Sequence, residues 1–164
     1  MPRLPDLIDQ FGRLRSGDPW YGPPIAEVLK GITARQAASR PISRAHSIWE
    51  IVLHMTAWVN EVRRRLETGI WRMPVEGDWP EVPAATGKAW AQAVSALLSA
   101  HDELIRLLQA IEETRLDETL GRERNAPLGT GVSYGATLHG LLQHDAYHLG
   151  QIALLKKAGR RRQA

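Results

Sequence analysis

Residues 133–158 read SYGATLHGLLQHDAYHLGQIALLKKA, and their spacing decides the fold. Leu138, Leu141, Leu142, Leu149, Ile152 and Ala153 return at the three- and four-residue intervals of one helix face. Ser133 is placed to cap the first turn, and Gly159 to end the helix after Ala158. His144 and His148 stand four apart, so their imidazoles share a face. One helix can in this way give two nitrogen ligands to a single metal ion.

The same period recurs upstream. Leu4 to Leu14 carries Leu4, Leu7, Ile8, Phe11 and Leu14, and is expected to be a helix that stops at the Gly- and Pro-rich stretch 17–24. A short extra helix, Ile25 to Lys30, follows Pro23 and Pro24 and ends at Gly31, and a further turn is expected at Thr33 to Ala38. Ser47 and Glu50 form a capping box for a second long helix. Its stripe is Ile48, Ile51, Val52, Met55, Val59, Val62 and Leu66, and Gly69 ends it. From Ile70 to Ala85 the chain is an irregular crossover with Pro74, Gly77, Pro80 and Pro83, long enough to cover a site. A third long helix is expected from Thr86 to about Glu113, with Val94, Leu97, Leu98, Leu104, Ile105, Leu108 and Ile111 as its stripe. A loop with Asn125, Pro127, Gly129 and Gly131 spans Gly121 to Val132. No strand-length alternating run competes. The expected fold is all-α, a four-helix bundle in one domain over residues 1–164, with a flexible basic tail at 159–164.

Composition narrows the function classes. The 164 residues contain no cysteine, which excludes disulfides, thiolate metal sites, iron–sulfur clusters and cysteine nucleophiles. The formal charge is +3 and much of the excess sits in Lys156, Lys157, Arg160, Arg161 and Arg162. Outside Arg63, Arg64 and Arg65 the other basic residues alternate with acids, and no helix-turn-helix pattern is present, so no nucleic-acid partner is expected. No apolar run is long enough for a membrane span and no signal peptide is evident, so a cytoplasmic protein is expected.

The string His144-Asp-Ala-Tyr-His148 is similar to the zincin His-Glu-x-x-His with Asp for Glu, but no His, Asp or Glu follows His148 to complete a zincin site. A third ligand must come from upstream. At roughly 100° per residue, His144 and His148 lie to one side of their apolar stripe, and His54 and Trp58 lie on the same flank of theirs. A bundle can bring these flanks together, making His54, His144 and His148 a metal site with open positions. His139, roughly 140° around the helix from His144, misses it. His46 precedes the capping box and reads as loop or site entrance. His101 and Asp145 fall within apolar stripes, where a polar group needs a partner. They are expected to be buried and bonded to each other or to a ligand histidine. Asp145 and Gln151 are the candidate catalytic residues, for proton transfer or for binding water or substrate. Trp58 is a candidate pocket wall, Trp71 or Trp79 a candidate lid residue, and Tyr147 a surface or oligomer contact. Glu50, one turn before His54, is accounted for by its cap.

Three segments carry a family resemblance: residues 46–58, HSIWEIVLHMTAW; residues 137–156, TLHGLLQHDAYHLGQIALLK; and, more weakly, residues 80–83 before Trp90. Together they resemble the DinB/YfiT-like metalloenzyme family over nearly the whole chain. The resemblance implies an up-and-down-type four-helix bundle with a long crossover, often a homodimer. It implies a divalent zinc, nickel or iron ion on His54, His144 and His148, the same three histidines. Relatives include S-transferases and isomerases that use a low-molecular-weight thiol as co-substrate. The expected function is a metal-dependent enzyme of thiol S-transferase or hydrolase type acting on a small molecule. The alternative is a non-catalytic, stress-related protein that binds a metal or small ligand.

Overall fold

The structure, a computed structural model, describes residues 3–121 and 131–161. Its helices are α1 (Arg3–Ser16), α2 (Ile25–Leu29), α3 (Ala34–Ala38), α4 (Ile48–Thr68), α5 (Gly87–Ala110) and α6 (Tyr134–Arg161). The protein is an all-α bundle. Helix α4 packs between α5 and α6, and α1 closes the ring by packing on α5 and α6. The core follows from the spacing: α1 buries Leu4, Leu7, Phe11 and Leu14, and α5 buries Trp90, Ala93, Leu97, Leu104 and Leu108. No described helix is long and apolar enough to cross a membrane.

Helix directions explain the long crossover. Trp49 lies against Trp90 with ring centroids 5.2 Å apart, and Arg63 reaches Glu103 at 3.5 Å. Both sequence numbers rise together, so α4 and α5 run parallel. The chain must therefore return the length of the bundle between them, which a tight turn cannot do. Helix α6 runs the other way. His54 meets His144, while the Tyr134 hydroxyl lies 3.5 Å from where a Gly69 Cβ would be.

The ends of α4 are specified locally. The Ser47 hydroxyl accepts from the Glu50 N–H at 3.2 Å, and the Glu50 carboxylate accepts from the Ser47 N–H at 2.7 Å. At the other end Gly69 takes φ +69° and donates its N–H to the Arg65 carbonyl, the left-handed stop that glycine adopts without strain. Thr33 and Gln36 form a second capping box at α3.

Three boundaries differ from the sequence expectation. Helix α5 ends at Ala110 rather than Glu113, because Ile111 turns extended and a 3₁₀ turn follows at Glu113–Asp117. That turn buries Leu116 and brings a Glu113 carboxylate oxygen to within 3.1 Å of the Leu4 N–H, at the N-terminus of α1 where negative charge is favoured. The expected loop from Gly121 to Val132 is pinched at its base by an antiparallel pair, β1 (Thr119–Leu120) and β2 (Val132–Ser133). Two-residue strands are too short to show alternation. Gly121 and Gly131 flank the loop at φ +75° and +72°. Asn125, Pro127 and Gly129 lie outside the described residues. Helix α6 does not stop at Gly159 but runs to Arg161, since Gly159 stays in the helical region and never takes the positive φ of a glycine stop. Residues 162–164 of the expected tail lie outside the described residues. Ser133 does cap α6, its hydroxyl accepting from the Ala136 N–H at 3.1 Å.

The α4 cap yields a pH-dependent stability. Burial alone would raise the Glu50 carboxyl, but hydrogen bonds from Ser47 and the nearby Arg40 guanidinium outweigh it and hold the group at about 2, below its usual 4.5. A depressed carboxylate contributes stability above its unfolded value, and the contribution is lost as pH falls through the folded value. Glu50→Gln is expected to cost about 1 kcal/mol at pH 7. In thermal melts, its deficit against wild type should shrink steadily between pH 4.5 and about 2.

Candidate metal centre

His54 comes from the second turn of α4, and His144 and His148 from successive turns of α6. One ring nitrogen from each lies within 4.8 Å of the other two, a cluster that could hold a metal ion. The ring centroids are 4.5–4.9 Å apart. His54 and His148 are buried, while the His144 side chain is 28 % exposed.

The outward nitrogens set the tautomers. His54 Nδ1–H donates to the Asp78 carbonyl at 2.6 Å, and His148 Nδ1–H donates to Gln151 Oε1 at 2.7 Å. His144 Nδ1–H faces Asp145 Oδ1 at 3.2 Å. Each proton is held on the outer nitrogen by an oxygen acceptor, so each Nε2 lone pair is free. His54 Nε2 and His144 Nε2 then face each other at 2.9 Å. Two lone pairs at that separation repel unless a cation or a shared proton lies between them. Three neutral imidazoles and no carboxylate make a donor set suited to zinc, nickel, copper or iron. Burial pushes His148 down to about 4, helped by the two neighbouring imidazoles and opposed by the Gln151 hydrogen bond. Burial also lowers His54, against the opposing pull of the Asp78 carbonyl. Both rings are therefore neutral at pH 7, as a ligand must be.

Behind the cluster, His101 and Asp145 meet with neither side chain exposed. His101 Nε2 lies 3.0 Å from Asp145 Oδ2, and His101 Nδ1 lies 3.0 Å from the Leu97 carbonyl. Asp145 thus bonds both His101 and His144, joining the two partners the sequence left as alternatives. Burial raises the Asp145 carboxyl, but its hydrogen bonds to His101 and His144 more than offset this and leave it below its usual value.

The crossover supplies Asp78, which the sequence did not identify, and decides between the two lid candidates. The Asp78 carboxylate accepts from the Trp58 indole N–H at 2.7 Å while its carbonyl holds His54. Trp79 stacks on His54 at 4.0 Å and on His46 at 3.6 Å, a ring sandwich that closes one side of the cluster. Trp79 is thus the lid residue, and Trp71 packs on the core. His46 lies at the rim of the site, His139 is exposed away from the cluster, and Tyr147 is exposed. The signal for Asp78 and Trp79 was the turn Gly77-Asp-Trp-Pro80; Gly77 takes φ +87° and its N–H bonds the Pro74 carbonyl.

On the open side of His144 lies a cavity of about 320 Å³ whose wall includes Trp58. Its remaining wall comes from α4, β2 and α6, not from the crossover residues 70–85.

The family model described as DinB superfamily matches residues 25–152, which include all three clustered histidines. The chain belongs to the DinB superfamily. No curated protein and no solved structure matches it significantly. The DinB match leaves out α1, so the helix that closes the bundle lies outside the matched span.

The buried pair gives this site a stability signature. His101→Leu leaves Asp145 in the core with one of its two histidine partners removed. Breaking a buried pair from one side costs about 3–5 kcal/mol. Urea denaturation of His101→Leu should show a loss of that size, and adding Asp145→Asn to it should recover part of the loss.

Proposed function

We propose that this DinB-superfamily chain is a metal-dependent enzyme of thiol S-transferase or hydrolase type acting on a small molecule, with His54, His144 and His148 as its metal ligands. One observation carries the reading: a nitrogen from each of the three rings converges on one point, and each Nδ1 is held by an oxygen, which leaves the Nε2 lone pairs free. A divalent ion bound there, zinc, nickel or iron, supplies Lewis acidity that makes a coordinated water or thiol nucleophilic near neutral pH.

The chain's own groups then have separate tasks. Asp78, Asp145 and Gln151 hold the outer ring protons and so fix the orientation of the ligands. Of the two candidate catalytic residues, Asp145 is fully buried against His101 and so acts through His144. Gln151 acts through His148. Trp79 closes one side against water, and the cavity beside His144 admits the substrate.

The alternative, a binding protein without catalysis, would use the same cluster. The cavity next to the most exposed of the three histidines favours the enzyme. A homodimer is also part of this reading, supported by Tyr147 and Leu154, two large exposed side chains seven residues apart on α6. Sedimentation analysis tests it.

Metal analysis of tag-free protein tests the central claim. Wild type is expected to hold near-stoichiometric metal after reconstitution, and His54→Ala, His144→Ala and His148→Ala each to lose it together with activity. A wild type that takes up no metal, or a metal-free variant with full activity, overturns the proposal.

A further inference from the structure

The cavity beside His144 is a slot between antiparallel helices. Trp58, Val62 and Arg65 line it from successive turns of α4, and His144, Gly140 and Thr137 from successive turns of α6. Trp58 to Arg65 is seven residues, so the slot runs roughly 10 Å from the histidine cluster to the guanidinium. Its volume of about 320 Å³ falls at the small end of small-molecule sites.

Two features of the slot bear on its ligand. The first is Arg65, whose side chain is only 3 % exposed. Its Nε–H donates to Glu61 at 2.9 Å and its Nη2–H to the Arg72 carbonyl at 2.8 Å. Its Nη1 takes no acceptor among the described residues and is not enclosed, so it is the edge of the guanidinium that a ligand can reach. Glu61 does not cancel the charge, because it also pairs with Arg64, so one carboxylate serves two guanidiniums. The second is Gly140. A Cβ built there meets nothing within 4 Å, and its φ is not positive, so neither close packing nor backbone strain requires glycine. A glycine inside a helix is destabilising. What it does here is leave the slot open one turn before His144.

The geometry points to a small organic acid as the ligand: an apolar body along Trp58, Val62 and Gly140, a carboxylate on Arg65, and the reacting end at His144. This inference deepens the metal-enzyme reading by naming its substrate class. Arg65 is a binding residue in it, remote from the reacting atoms.

The test is calorimetric titration of the full chain with octanoate and with octanamide, its neutral isostere, with metal content measured on the same samples. Wild type is expected to bind octanoate at least tenfold more tightly than octanamide. Arg65→Met keeps the apolar stem and leaves Glu61 paired with Arg64; it should remove the preference. Gly140→Leu, whose Cβ meets nothing within 4 Å, puts a branched side chain at the slot and should abolish binding of both while leaving metal content unchanged. Equal binding of the two probes, a preference that survives Arg65→Met, or unchanged binding in Gly140→Leu overturns the acid site. Octanoate selectivity in a wild type that takes up no metal supports the acid site and overturns the metal reading alone.

Discussion

Asp145 is a carboxylate with no exposed surface, and the rest of the site is arranged around satisfying it. An isolated buried charge is far too costly for a domain of ordinary stability. One oxygen bonds His101 from α5 and the other faces His144 in its own helix. That single group therefore ties the register of α5 against α6 to the orientation of a candidate ligand. Few other placements of the two helices would keep both oxygens bonded, so the pair contributes specificity as well as energy.

A second constraint comes from chain direction. Helices α4 and α5 are parallel neighbours, so the connection between them must travel back along the bundle. The chain uses that obligatory length to cover the histidine cluster. Asp78 fixes the His54 ring through its carbonyl and Trp58 through its carboxylate, and Trp79 stacks on the exposed ring face. Topology thus creates the loop, and local turn chemistry at Gly77 aims it.

Much of this was legible in the sequence because it depends on local periodicity. The Ser47–Glu50 box, the Gly69 stop and the stripes of α1, α4 and α5 each need only residues within a few turns of one another. The three-histidine cluster was legible for the same reason: flank positions on two helices follow from 100° per residue. What escaped depends on long-range geometry. The parallel arrangement of α4 and α5 leaves no local mark, so the role of Asp78 could not be told from that of any other loop residue, and Trp79 could not be told from Trp71 as the lid. Arg65 stood out in the sequence only as part of a run of three arginines, yet it is buried beside Glu61 and Trp58. The β1–β2 pair was too short for any pattern.

The sequence departs furthest from good folding rules along α6, on the face and flank that meet the cluster. Gly140, His144, Asp145, His148 and Gln151 interrupt an apolar stripe that resumes at Leu149 and Ile152. Replacing Gly140 by alanine would favour the helix by about 1 kcal/mol, and apolar residues in place of the buried polar ones would satisfy the core without a hydrogen-bond network. By contrast, α4 is capped at both ends and α5 at its start, and α1 buries only apolar side chains. A helix that forgoes stability along one face, opposite a buried arginine and beside a cavity, is organised for what occupies that face. The stability lost there is supplied by the other three helices, which is the usual division between scaffold and site.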